Sequence, residues 1–230
     1  MIQINQVKKQ FDQKIALNIA GLSINEGECV GIVGNNGAGK TTLFRALLDL
    51  IRLDEGSIEL DGHSVAQSDH WKGILNPFID ESFLIEFLKP IEYLQFIGNT
   101  MGLNDKQVQQ YLTEMELLVN EDIMQNKKLI RDLSTGSKVR VGLLAAFLGN
   151  PKYILLDEPF AHLDPSSQSR LRKVIRTMHA SGKTVILSSH NLQNVMEVCS
   201  RVILIEAGKV VADHEVTESA IAELNAYFEV

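Results

Sequence analysis

Nine residues near the start of the chain have the make-up of a phosphate cradle. Gly34-Asn35-Asn36-Gly37-Ala38-Gly39-Lys40-Thr41-Thr42 fits the spacing G-x-x-x-x-G-K-[ST]. Glycine carries no Cβ, so such a loop can wrap its backbone round an anion. The N–H groups from Asn35 to Thr42, with the positive end of a following helix, would face the phosphates of a nucleotide. Lys40 adds a mobile point charge for the β- and γ-phosphates, and the Thr41 hydroxyl can ligate Mg²⁺. Much further along, an apolar run ends in Asp157-Glu158-Pro159. Asp157 is read as a holder of Mg²⁺. Glu158, beside the γ-phosphate, is read as the carboxylate that polarises an attacking water.

These residues need rigid elements to bring them together. Cys29–Val33 reads as a buried strand feeding the loop, and Leu43–Leu48 as the helix leaving it. Before them, Ile2–Ile4 and Ile15–Ile24 alternate as strands with one buried face. Phe11 sits in a polar stretch, Lys8 to Gln13, with little core to join. Asp54-Glu55-Gly56 reads as a stop, Ser57–Gly62 as a short strand and turn, and the region near Gly73 to Ile79 as another strand. From Glu81 to Gly149 the pattern is helical. Pro90 suits a first turn ahead of Tyr93, Leu94 and Ile97. Asn104-Asp105-Lys106-Gln107 resembles a capping box before Val108, Tyr111, Leu112 and Met115. A further helix starts near Ser134 and is ended by Gly149 and Pro151.

Strand–helix alternation resumes at Lys152. Tyr153–Leu156 is apolar at consecutive positions, as a central parallel strand requires. Asp164-Pro165 opens a helix to about His179. Thr184–Ser189 is the next strand, with His190 just beyond it. A helix through Val198, a strand Arg201–Ile205, a turn at Ala207-Gly208-Lys209 and an amphipathic tail helix, Thr217–Phe228 with Ile221 and Leu224 inward, complete the reading. The class is α/β with a mainly parallel sheet, whose ligands bind at the carboxyl ends of the strands.

Bulk properties narrow the function. A chain of 230 residues fits one domain with room for a subdomain. No apolar run approaches the roughly 18–20 residues that cross a bilayer. The first residues lack the blocks of a signal peptide, which points to the cytosol. Cys29 and Cys199 lack metal-ligand spacing and read as reduced core residues. A net charge of −7 without a Lys/Arg run argues against nucleic acid as a partner.

Taken in order, the phosphate loop, the helical stretch, Leu133-Ser134-Thr135-Gly136-Ser137, Asp157-Glu158-Pro159, Ala161-His162-Leu163-Asp164 and His190 resemble the ATP-binding subunit of ABC transporters across essentially the whole chain. The resemblance implies a P-loop NTPase (RecA-like) core with an N-terminal antiparallel β subdomain. It also implies a helical subdomain, about residues 81–149, inserted in a single domain of residues 1–230. A second copy would pair head-to-tail, most simply as a homodimer, and sandwich two ATP molecules. Ser134 and Gly136, at a helix tip, would then face the γ-phosphate held by the other chain. Phe11 would stack on adenine, His190 would contact the γ-phosphate, and Asp164 would lie at the dimer crossing. An integral membrane permease would hold the subunit on the inner face of the cell membrane.

Three departures from the family pattern stand out. Thr135 and Ser137 replace a glycine and a glutamine. Ala161-His162 replaces a pair of small residues. Asp80 stands where a glutamine usually ligates Mg²⁺ and senses the transport partner. Asp80→Gln is expected to keep ATP binding and to change the Mg²⁺ dependence or the coupling; unchanged Mg²⁺ titration and transport would count against any role for Asp80. With no regulatory domain expected after about Ala212, the reading leans to export. The alternative is a soluble ATPase of the same family, such as one serving iron–sulfur cluster assembly.

Overall fold

A computed structural model describes residues 1–125, 127–219 and 224. Its strands form two sheets. In the first, β1 (Ile2–Phe11), β2 (Lys14–Ile24), β4 (Glu55–Leu60) and β5 (His63–Ser64) run in the order β2-β1-β4-β5, all neighbours antiparallel. The second holds β3 (Cys29–Val33), β6 (Leu75–Phe78), β7 (Tyr153–Leu156), β8 (Thr184–Ser189), β9 (Arg201–Glu206) and β10 (Lys209–Glu215). Its order is β10-β9-β3-β8-β7-β6, parallel except for the β9–β10 hairpin.

Alternation along the parallel strands explains how both faces of that sheet are covered. Val30 and Ile32 of β3, Tyr153 and Leu155 of β7, and Ile186 of β8 join one core, with the antiparallel sheet and α1 (Lys40–Leu47). Their neighbours Cys29, Val33, Ile154, Leu156, Val185 and Leu187 join the other. That second core takes in the helices between β6 and β7: α2 (Pro90–Thr100), α3 (Asp105–Glu114), α4 (Glu121–Gln125) and α5 (Thr135–Phe147). The Asn104 capping box forms, with the Asn104 side chain accepting from Gln107 N at 3.1 Å and Gln107 Oε1 accepting from Asn104 N at 2.8 Å. α6 (Pro165–Ala180) is capped by Asp164, as its Asp-Pro start predicts. Short α7 (Leu192–Met196) ends before Val198.

Some expectations shift. β1 runs on through the polar stretch to Phe11, because backbone pairing with β2 and β4 carries it. Gly73 closes a 3₁₀ turn, His70–Gly73, and is not in the strand that follows. Gly56, read as a stop, lies within β4 at φ 86, and a Cβ there would fall 2.3 Å from Gln6 O. The glycine is needed for close approach of β1, not for a break. Ile221 and most of the tail helix lie outside the described residues; Leu224 is buried.

Candidate nucleotide site

The loop Gly34–Gly39 joins β3 to α1, and its geometry suits an anion. Gly39 occupies the N-cap position at φ 113, where no side chain caps the helix, and the first turn carries no acidic residue. The first-turn N–H groups of a helix have no partner within the helix, so here they and the helix dipole await an acceptor from outside. A Cβ on Gly39 would lie 2.6 Å from Ala16 O. The loop is braced from behind by the β9–β10 turn, where Gly208 N donates to Ala38 O at 2.8 Å and Asn18 N donates to Gly208 O at 2.7 Å.

Lys40 is almost wholly buried. Its Nζ donates to Gly34 O at 2.6 Å and Asn35 O at 3.3 Å, and lies 3.4 Å from Glu158 Oε1. A groove of about 340 Å³ is lined by Lys40, by Asn36, Gly37, Ala38, Gly39, Thr41 and Thr42 of the loop and helix start, and by Phe11, Lys14 and Ala16 of the antiparallel sheet. Phe11, which lines the groove, ends β1 with 48% of its surface exposed and with Lys9 Nζ 5.1 Å from its ring centroid.

Two carboxylates, Asp157 and Glu158, follow β7, and Glu158 lines the groove. Asp157, following β7, is 5% exposed. Burial pushes its carboxyl above the usual range, and hydrogen bonds from Ser188 and Thr41 oppose that shift. Glu158 follows at φ 45, a left-handed backbone seldom held by a non-glycine residue and common at functional sites. Its Oε2 lies 3.0 Å from His190 Nδ1, so one carboxylate bridges Lys40 and His190. A smaller hollow, about 230 Å³, is shared by Thr41, Asp80, Glu81, Asp157, Glu158 and His162. Asp80 caps a 3₁₀ turn, accepting from Ser82 N at 2.7 Å, and its other oxygen lies 3.9 Å from Arg45 Nη2.

Ser134 and Gly136 line neither space. Ser134 is exposed at the N-cap of α5, accepting from Ser137 N at 3.2 Å, and Gly136 lies against His162 O, where a Cβ would come within 2.9 Å. Sequence reasoning missed Ser188, which is fully buried. Its hydroxyl donates to Asp157 Oδ1 and accepts from Glu158 N at 2.9 Å. The register Leu156↔Leu187 is what sets Ser188 beside Asp157. Its only sequence signal is a polar pair closing an apolar strand. Ser188→Ala leaves a buried carboxylate short of a donor and an N–H without an acceptor. It should lower stability by about 1–3 kcal/mol and slow ATP hydrolysis several-fold, read by thermal melting and phosphate release.

The groove fits a nucleotide, since it pairs an uncapped helix end with a buried lysine. The pair Asp157 and Thr41, a desolvated carboxylate beside a hydroxyl, fits a hard cation such as Mg²⁺. Residues 17–161, more than half of the chain, match the family model described as ABC transporter. The chain belongs to the ABC transporter family. Within it the cassette is an ATP-binding ATPase component. It is 32% identical to the lipopolysaccharide export system ATP-binding protein LptB of Haemophilus influenzae, over 92% of this chain and 89% of that protein. It is also 32% identical to an uncharacterized ABC transporter ATP-binding protein of Nostoc sp., all4389, over 90% of this chain; the match spans 62% of that relative's length. The fold is shared with the dimeric, post-hydrolysis structure of the ATP-binding cassette MJ0796 bound to ADP and Pi, at a TM-score of 0.81 and 23% identity, over 94% of this chain and 99% of that one.

Proposed function

We propose that this cassette pairs head-to-tail with a second copy, hydrolyses MgATP in the closed pair, and so drives export through a separate membrane permease. The observation that carries the reading is the position of Glu158, held between Lys40 and His190 at an uncapped helix N-terminus. Asn35, Asn36, Gly37, Ala38, Gly39 and Thr42 offer backbone donors to the phosphates. Phe11, aromatic and exposed in the lining of the groove, offers a face to adenine. Thr41, Asp157 and Asp80 would hold Mg²⁺, which neutralises phosphate charge when bound. Glu158 orients the attacking water and takes its proton. Lys40 and His190 offset the charge that gathers on the γ-phosphate in the transition state. Ser134 and Gly136, which do not line their own groove, would seal the ATP of a second copy from the tip of α5.

The export direction leans on the relative named for lipopolysaccharide export. Among the described residues no helix is long and apolar enough to cross a membrane. Docking on a permease at the inner face of the membrane would use the surface beside Asp80. There Phe83 and Phe87 are 51% and 72% exposed, in a helical subdomain of about residues 81–149 inserted in the cassette domain. Purification of the protein from its native membranes tests this. Recovery with a multi-span membrane protein is the expected result, and recovery with a soluble scaffold would overturn the transport reading.

A further inference from the structure

His190 and Glu158 come from different strands, and little packing fixes the histidine. Its side chain is 57% exposed, and its contact with Glu158 Oε2 needs the backbone after β8 to be held still. That backbone runs directly into α7, which has only five residues. So short a helix has little stability of its own and must be held by tertiary contacts.

Buried Leu192 and Val195 seat α7 on the sheet, Val195 lying against Gly31 of β3, and one face of α6 adds polar contacts that reach both α7 and the segment after Glu158. Gln168, Arg172 and Arg176 recur every four residues and so share a stripe. Gln168 Nε2 donates to Phe160 O at 3.2 Å and to Leu163 O at 3.1 Å, gripping the segment that follows Glu158. Arg172 lies over the ring of buried Phe160, 5.5 Å from its centroid. The same guanidinium reaches α7, with Nη2 donating to Asn194 Oδ1 at 2.7 Å and Nε 2.7 Å from Glu197 Oε2. Arg176 Nε donates to Glu197 O at 3.1 Å, beyond the end of α7. Arg172 is thus the one rung that touches both the segment after Glu158 and the helix after His190. Its planar fork does what a lysine could not, lying over a ring while it hydrogen-bonds Asn194 and pairs in charge with Glu197.

We propose that Arg172 is a positioning residue for the Glu158–His190 pair, fixing the distance between them through Phe160 and α7. The proposal rests on the reading that Glu158 and His190 act on the γ-phosphate. Small misplacements of catalytic groups cost large factors in rate. Arg172→Lys in the full chain should lower kcat for ATP about tenfold, on the order expected for a loosened geometry, with KM for ATP within about twofold. Glu197→Ala, at a partly exposed position that folding should tolerate, should lower kcat about threefold in the same way. In a His190→Ala background, Arg172→Lys should cost less than about twofold more, because the two act as a unit. Equal factors of loss in both backgrounds would overturn the proposal. So would a lower melting temperature with unchanged kcat, which would make Arg172 a strut alone. Wild-type turnover by both His190→Ala and Glu158→Gln would overturn the reading of the site and this proposal with it, and that pattern is distinct from the others.

Discussion

Glu158→Gln is expected to lower ATP turnover by at least about a hundredfold, the scale of losing a positioned general base, while ATP remains bound. Glutamine keeps the shape of the side chain but cannot accept the proton of an attacking water. Binding should persist because the groove, the uncapped N-terminus of α1 and Lys40 are untouched. It should even tighten, since Glu158 Oε1 lies 3.4 Å from Lys40 Nζ and its charge competes with phosphate for that ammonium. With turnover blocked, the ATP-loaded variant should accumulate as a pair. Phosphate release measures the first effect and light scattering of ATP-loaded protein the second. Wild-type turnover in the variant would remove Glu158 from the mechanism. If the loaded variant never pairs, even with its membrane partner present, the sandwich model of the site falls.

Lys40→Ala should instead weaken ATP binding sharply. Lys40 Nζ is buried among backbone carbonyls of its own loop and the Glu158 carboxylate. Removing it strips the groove of the charge proposed to meet the β- and γ-phosphates and leaves the Glu158 carboxylate with His190 alone. A charge-assisted contact to phosphate contributes up to about 3 kcal/mol, roughly a hundredfold in affinity. Titration with a fluorescent ATP analogue should show that loss. Lys40→Arg should not rescue it, because the planar guanidinium does not fit a pocket that leaves lysine 6% exposed. An unchanged dissociation constant for Lys40→Ala would place the triphosphate elsewhere. The two variants separate the roles: one keeps ATP and loses chemistry, the other loses affinity for ATP.

Much of this was legible in the residues alone, where the signal is local. The strand–loop–helix unit around Gly34–Thr42 was readable because its glycines, lysine and flanking apolar residues signal it within one short stretch. The N-caps at Asn104, Ser134 and Asp164 were readable because a cap is a contact across two or three residues. Asp157-Glu158 stood out at the end of four apolar residues, the mark of a strand covered on both faces.

Tertiary structure decided what depends on strand order and register. β3, β8 and β7 are neighbours in space although they are far apart in the chain, and that order brings Lys40, His190 and Glu158 into one line. Ser188 gains its role only through pairing of β8 with β7, and Gly208 braces the phosphate loop only because β9 lies beside β3. Composition also misled at Gly56, where close approach by β1 outweighed the turn propensity of glycine. A residue's type fixes what its atoms can donate, accept or carry as charge. Which other atoms lie within 3 Å of them is set by burial of the two cores, whose packing chooses the strand order that no short stretch encodes.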